Sequence, residues 1–180
     1  MYLPQEDSFL LLEQVKKYAK GKVLDVGTGS GIQAKGAADK DEVESVLAVD
    51  IDKQVIEEHK STIKNPKIKF MVSDLFTGIF KRYDTIIFNP PYLPREKSDE
   101  SIKDPALFGG KEGYETLERF FSLAGNYLTP DGIILIVFSS FTQKDKVDEI
   151  IEKEGFSFEQ LSTKHIFFED LFVYKVRKKS

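Results

Sequence analysis

Apolar residues recur at helical spacing between Ser8 and Lys20, where Leu11, Leu12, Val15, Tyr18 and Ala19 form one stripe behind the acidic pair Glu6 and Asp7. This predicts a first helix starting near Asp7. The pattern then changes. Lys22-Val23-Leu24-Asp25-Val26-Gly27 is a short apolar run closed by glycines, and Ile32 to Lys40 is rich in Ala, so strand, tight turn and helix follow one another. Ser45 to Asp50 repeats the strand pattern, Lys53 to Ile63 reads as a helix, and Ile68 to Val72 as a strand ending near Asp74. Tyr83 to Phe88 is a fourth strand and Tyr114 to Leu128 a helix. The turn Thr129-Pro130-Asp131-Gly132 precedes Ile133 to Phe138, which is apolar on both faces and therefore belongs inside a sheet. After a helix over Lys144 to Glu154, the strands Phe156 to His165 and Leu171 to Arg177 follow with no helix between them, which predicts an antiparallel hairpin. The expected fold class is α/β: a mostly parallel sheet with helices on both faces and a C-terminal hairpin. Pro94 to Gly113, rich in Lys, Glu, Ser, Asp and Gly, reads as a long loop of the kind that usually serves function.

With 180 residues, 41% of them hydrophobic, and 15 Phe, the chain suits one domain spanning 1–180. A net charge of -4 lacks the basic excess that drives sequence-independent phosphate binding, although Lys175-Val176-Arg177-Lys178-Lys179 is a local basic cluster. The absence of Cys excludes disulfides and thiolate metal sites, and His59 and His165 are too few and too separated for zinc, so no metal is expected. Met1 to Asp7 has neither a basic nor an apolar leader segment, and no apolar run reaches membrane-spanning length. A soluble, cytoplasmic protein is expected.

Candidate chemistry sits at the predicted strand ends. Asp25-Val26-Gly27-Thr28-Gly29-Ser30-Gly31 closes the first strand, where open α/β sheets bind ligands, but Ile32 stands where the dinucleotide fingerprint needs its last glycine. Asp50 ends the second strand at the distance where a carboxylate meets a ribose hydroxyl pair. Asp74 supplies an acceptor for an exocyclic amine such as that of adenine. Acids without phosphate-binding cations suit a positively charged adenosine, and S-adenosylmethionine is such a molecule. The fourth strand runs into Asn89-Pro90-Pro91-Tyr92. The Asn89 side-chain oxygen and the Pro90 carbonyl can accept from the two N–H groups of a planar nitrogen, Pro91 restricts where that carbonyl points, and Tyr92 can cover the flat face.

This motif set resembles the class I S-adenosylmethionine-dependent methyltransferases with a Rossmann-like seven-stranded sheet. Asn-Pro-Pro-Tyr narrows it to those that modify planar nitrogen. Tyr2-Leu3-Pro4-Gln5-Glu6-Asp7-Ser8-Phe9-Leu10-Leu11 resembles the opening of the archaeal and eukaryotic branch of the HemK-type glutamine methyltransferases. That family works as a bare catalytic domain, whereas its bacterial branch carries an additional N-terminal substrate-binding domain. The resemblance implies N5-methylation of the glutamine in the Gly-Gly-Gln loop of a class 1 release factor, often with a small zinc-binding activator subunit. It also implies that the helix within residues 1–20 covers the cofactor site. Cofactor contacts are implied at Ser8, Asp25, Gly27, Gly29, Asp50, Asp74, Leu75 and Asn89, with Asn89, Pro90, Pro91 and Tyr92 around the substrate amide. Ala106 to Gly113 resembles a glycine-bearing segment that shapes the substrate channel, and a plain surface loop is the competing reading.

Asn-Pro-Pro-Tyr alone does not separate glutamine from adenine, so an adenine N6-methyltransferase acting on DNA or RNA is the alternative. The acidic composition, the lack of a nucleic-acid target-recognition domain and the Tyr2 to Ser8 opening favour a protein substrate. A non-catalytic scaffold is the other class of reading, and the intact Asn89-Pro90-Pro91-Tyr92 argues against it.

Overall fold

The computed structural model describes residues 4–94 and 108–179. In chain order these form α1 (Glu6–Tyr18), β1 (Gly21–Val26), α2 (Ile32–Ala38), β2 (Val43–Asp50), α3 (Lys53–Thr62), β3 (Ile68–Val72), β4 (Tyr83–Phe88) and β5 (Leu93–Pro94). They continue with β6 (Phe108–Gly110), α4 (Glu115–Tyr127), β7 (Leu128–Ser139), α5 (Lys144–Lys153), β8 (Phe156–Ile166) and β9 (Glu169–Lys178), and a 3-10 turn over Ser140–Thr142 joins β7 to α5. Seven strands build one sheet of order β3-β2-β1-β4-β7-β9-β8. The first five positions are parallel, and β9 enters antiparallel to both β7 and β8. The hairpin expected from the sequence is present, with its second strand inserted next to β7.

Alternation along the strands divides the core in two. Ile86 and Phe88 of β4 and Ile134, Ile136 and Phe138 of β7 pack with Phe120 and Phe121 of α4 and Ile150 and Ile151 of α5. Ile87, Ile133, Leu135 and Val137 face the opposite way, against Leu11 and Val15 of α1 and Ala34 and Ala37 of α2. A strand with period-two side chains that is apolar at every position has to be covered on both faces, which is why β7 is interior. The turn expected at Thr129 to Gly132 lies within the span of β7 instead. Tyr83 pairs with Leu128 and Thr85 already with Ile133, so those residues bulge from the ladder rather than precede it.

The topology positions the site. The chain builds β1, β2 and β3 outward in one direction and then returns to place β4 on the other side of β1. Val26 pairs with both Val49 and Phe88, so Gly27, Asp50 and Asn89 emerge side by side on one rim at the point where strand order reverses. Because β9 runs antiparallel, the turn joining it to β8 comes to this same rim. Of the long loop expected over Pro94 to Gly113, Leu93–Pro94 and Phe108–Gly110 pair as a short parallel ribbon, and 95–107 lie outside the described residues. No described helix is long and apolar enough to cross a membrane.

Candidate active site

A cavity of about 590 Å³ opens on the rim between β1 and β4. Its floor is the glycine turn. Gly27, Gly29 and Gly31 all adopt left-handed backbone (φ 63°, 50° and 74°), which side chains with a Cβ rarely tolerate. The turn is held from three directions. Thr28 N donates to Val49 O at 2.8 Å, Gly29 N donates to Asp50 Oδ2 at 2.9 Å, and the buried His59 ring nitrogen Nε2 lies 2.6 Å from Gly29 O. A carbonyl only accepts, so His59 donates there.

Asp50 stands on the cavity wall, its second oxygen accepting from Asp52 N at 3.0 Å. Asp74 and Leu75 follow β3 onto the same wall, with Leu75 also in left-handed backbone (φ 49°). Asp74 Oδ2 accepts from the Arg119 guanidinium at 2.9 Å. Asn89, Pro90, Pro91 and Tyr92 line the side leading away from β4, and Ser8 and Asp7 come from the first turn of α1.

Asp25 departs from the expectation of a direct ligand contact. It is buried beneath the turn, off the cavity wall, and its Oδ2 accepts from Thr28 Oγ1 at 2.6 Å and Ala34 N at 3.1 Å. Its side chain points to the α1 and α2 face of the sheet because residues of one strand alternate faces. Asp25 therefore braces the turn from below. Burial pushes its carboxyl up to about 7, an effect opposed by the hydrogen bonds from Thr28 and Ala34 and reinforced by the charge of Asp50.

The arrangement around Asn89 is built by Asp7. Asp7 Oδ2 lies 3.2 Å from Asn89 Nδ2 and 3.3 Å from the Tyr92 hydroxyl, while Oδ1 accepts from Ser8 N at 2.6 Å. Asp7 Oδ2 accepts from Asn89 Nδ2, which selects the Asn89 rotamer whose NH₂ faces it. The carbonyl oxygen of Asn89 is then directed away from Asp7. The same carboxylate fixes the Tyr92 ring through its hydroxyl. Behind this motif, Gly109 packs so tightly that a Cβ there would stand 2.6 Å from Pro91 O and also meet the Gly113 carbonyl. Gly109 of this glycine-bearing segment thus packs on the Pro91 backbone while Lys111 and Glu112 are exposed, and Ala106 and Leu107 lie outside the described residues.

Residues 5–167 match the family model of the methyltransferase small domain. The chain belongs to that family. It is 34% identical over 177 residues to a putative protein N5-glutamine methyltransferase of Methanocaldococcus jannaschii, covering 96% of this chain and 89% of the relative. It is also 28% identical over 170 residues to the human methyltransferase HEMK2, covering 86% and 79% respectively. Among solved structures, the E. cuniculi Mtq2–Trm112 complex, described as responsible for methylation of the eRF1 translation termination factor, superposes with a TM-score of 0.78. That match has 24% identity and covers 99% of this chain and 98% of that one, so it supports the fold.

A methyltransferase domain calls for S-adenosylmethionine, and the wall of this cavity fits that molecule. Among the described residues, Asp7, Asp50, Asp52, Asp74 and Glu169 line it against a single guanidinium, Arg119, which is itself paired with Asp74. Such a surface favours a cationic nucleoside and disfavours a polyphosphate. Gln33 adds a polar group aimed at the same region: its Nε2 donates to Ser8 O at 2.8 Å, and its buried Oε1 has no partner among the described residues.

The methyltransferase site also contains residues that motif reading did not assign to it. Asp7 figures in the sequence as a favourable charge at a helix start and as part of the Tyr2 to Leu11 opening, and neither reading relates it to Asn89. Gln33, Arg119 and Glu169 carry no motif signal at all. Their place on the wall follows from how α2, α4 and β9 pack.

Proposed function

We propose that this methyltransferase transfers the methyl group of S-adenosylmethionine to the side-chain amide nitrogen of a glutamine, in the Gly-Gly-Gln loop of a class 1 peptide-chain release factor. The observation that carries the reading is the Asn89 carboxamide held by Asp7 beside Pro90 and Tyr92. Together with the similarity to a putative protein N5-glutamine methyltransferase along nearly the whole chain, it favours an amide substrate.

The bound cofactor supplies an electrophilic methyl on a sulfonium. Asp50 would hold its ribose hydroxyls, Asp74 and Leu75 would border the adenine, and Ser8, Gly27, Gly29 and Asn89 would enclose the remainder. Asp25 would act indirectly, through the turn. Asn89 Oδ1 and the Pro90 carbonyl accept from the two N–H groups of the substrate amide, which fixes its plane and favours positive charge developing on nitrogen. Pro91 limits the direction of the Pro90 carbonyl, and Tyr92 covers the amide face. No strong base is needed, since a methylated, protonated amide nitrogen releases its proton readily to water. We treat 1–180 as one catalytic domain with the N-terminal helix covering the cofactor site. The buried positions of Asp7 and Ser8 on the cavity wall support this.

A small zinc-binding activator subunit would find a place on β3. This strand is the edge of the sheet, with Val72 44% exposed and Phe70 and Met71 half-buried, and an unpaired apolar edge invites an added strand. The setting is the cytoplasm, where release factors act. The test is methyl transfer from labelled cofactor to a release factor and to its Gly-Gly-Ala loop variant, with and without an activator. Labelling of the wild-type factor alone is expected. Equal labelling of both proteins, or labelling of DNA or RNA instead, would overturn the proposal.

A further inference from the structure

The turn between β8 and β9 breaks the usual rules for its position. Ile166 pairs with Glu169, so Phe167 and Phe168 are a two-residue hairpin connection, a place normally taken by Asn-Gly or a similar pair. Phe168 has left-handed backbone (φ 62°), which is costly for a bulky side chain. Both rings project into solvent, 94% and 93% exposed. The fold gains no burial from them, so a locally unfavourable pair is kept for something outside the chain.

Their location narrows the purpose. Glu169, the next residue, lines the active-site cavity, and its carboxylate accepts from Ser139 Oγ. Asp170 N donates to Ser140 Oγ at 3.0 Å, which ties the turn to the segment carrying Phe141, itself 43% exposed. An apolar prominence thus stands beside the cavity mouth. Among the described residues flanking it, Lys164 pairs with Glu6 and the His165 ring nitrogen Nδ1 lies 2.8 Å from Asp170 Oδ1. A paired lysine and acidic cavity walls offer little to nucleic acid or to an anionic membrane, and suit an apolar protein surface.

We infer that Phe167 and Phe168 are a docking element that grips an apolar patch on the body of the protein substrate, away from the glutamine being methylated. The inference rests on the proposed reading of the site as a protein methyltransferase. Exposed aromatic anchors of this kind commonly dominate recognition energy, whereas the cavity alone sees one side chain.

The test uses the full chain and an intact class 1 release factor. The double variant Phe167→Asn and Phe168→Gly carries a pair that fits the turn better, so the hairpin should form. The KM for the release factor is expected to rise at least about tenfold, with kcat at saturation and cofactor affinity within about twofold. An unchanged KM overturns the inference while leaving the proposed function standing. So does a fall in kcat at unchanged KM, which would place the turn inside the chemistry. An unchanged KM with loss of self-association would assign the rings to a second copy of this chain. If the unaltered protein labels no release factor, the proposed function fails, and this inference with it.

Discussion

Asp7 and Asn89, 82 residues apart in the chain, meet at 3.2 Å through a carboxylate oxygen and an amide nitrogen. The contact orients the Asn89 carbonyl proposed to hold the substrate, and the same Asp7 oxygen receives the Tyr92 hydroxyl at 3.3 Å. Asp7→Ala should loosen Asn89, leaving its amide nitrogen the longer contact with Ser8 Oγ at 3.3 Å. A hydrogen bond to a charged group contributes about 1.5–3 kcal/mol, so the single-turnover rate at saturating cofactor is expected to fall about 10- to 100-fold. A change confined to cofactor affinity would remove Asp7 from this role.

Asn89→Ala removes the acceptor itself. Methyl transfer is expected to fall below detection, with cofactor affinity by calorimetry kept within about a few-fold, because the interaction belongs to the transition state. A large loss of binding would contradict that division of labour.

Asp50→Ala should do the reverse. Its carboxylate braces Gly29 at 2.9 Å and faces the cavity, so its loss is expected to weaken cofactor binding by about 10- to 100-fold, with a smaller effect on turnover at saturation. Titration calorimetry beside steady-state kinetics separates the two.

Gly109→Ala pushes a methyl group into the backbone carbonyls of Pro91 and Gly113. Displacing the Pro90-Pro91 segment by a fraction of an ångström should lower kcat/KM by about 10- to 100-fold. Gly125→Ala is the control. That Cβ would make ordinary contact with Phe156 at 3.6 Å inside α4, so unchanged activity and a stability gain of about 0.5–1 kcal/mol are expected by thermal denaturation.

Asp25 makes stability depend on pH. Its carboxyl titrates near 3.8 when exposed and near 7 in the fold, where burial disfavours the charge. Between those values the folded chain keeps a proton that the unfolded chain releases. Its contribution therefore falls as pH rises from about 4 to about 7 and is level above that, a change of up to roughly 4 kcal/mol. Asp25→Asn should flatten this slope in urea titrations at about pH 5 and about pH 8. A slope identical to that of the unaltered protein would show that Asp25 is not its source.

Periodicity alone determined much of this protein. The alternation of apolar runs with helical stripes sufficed for the strand and helix order, since each element must bury its own apolar face, and the double-sided apolarity of Ile133 to Phe138 required an interior strand. Glycines at Gly27, Gly29 and Gly31 and the prolines after Asn89 carry backbone constraints that are local, so the turn and the irregular exit from β4 were legible as well. Tertiary structure decided what depends on partners distant in sequence. It placed Asp25 under the turn rather than in the cavity, because strand residues alternate faces and the register with β2 and β4 sets which face is which. It inserted β9 beside β7, which carries Phe167, Phe168 and Glu169 to the rim. It made β3 an edge. It also brought Asp7 to Asn89, a pairing of a helix start with a strand end that no spacing along the chain encodes.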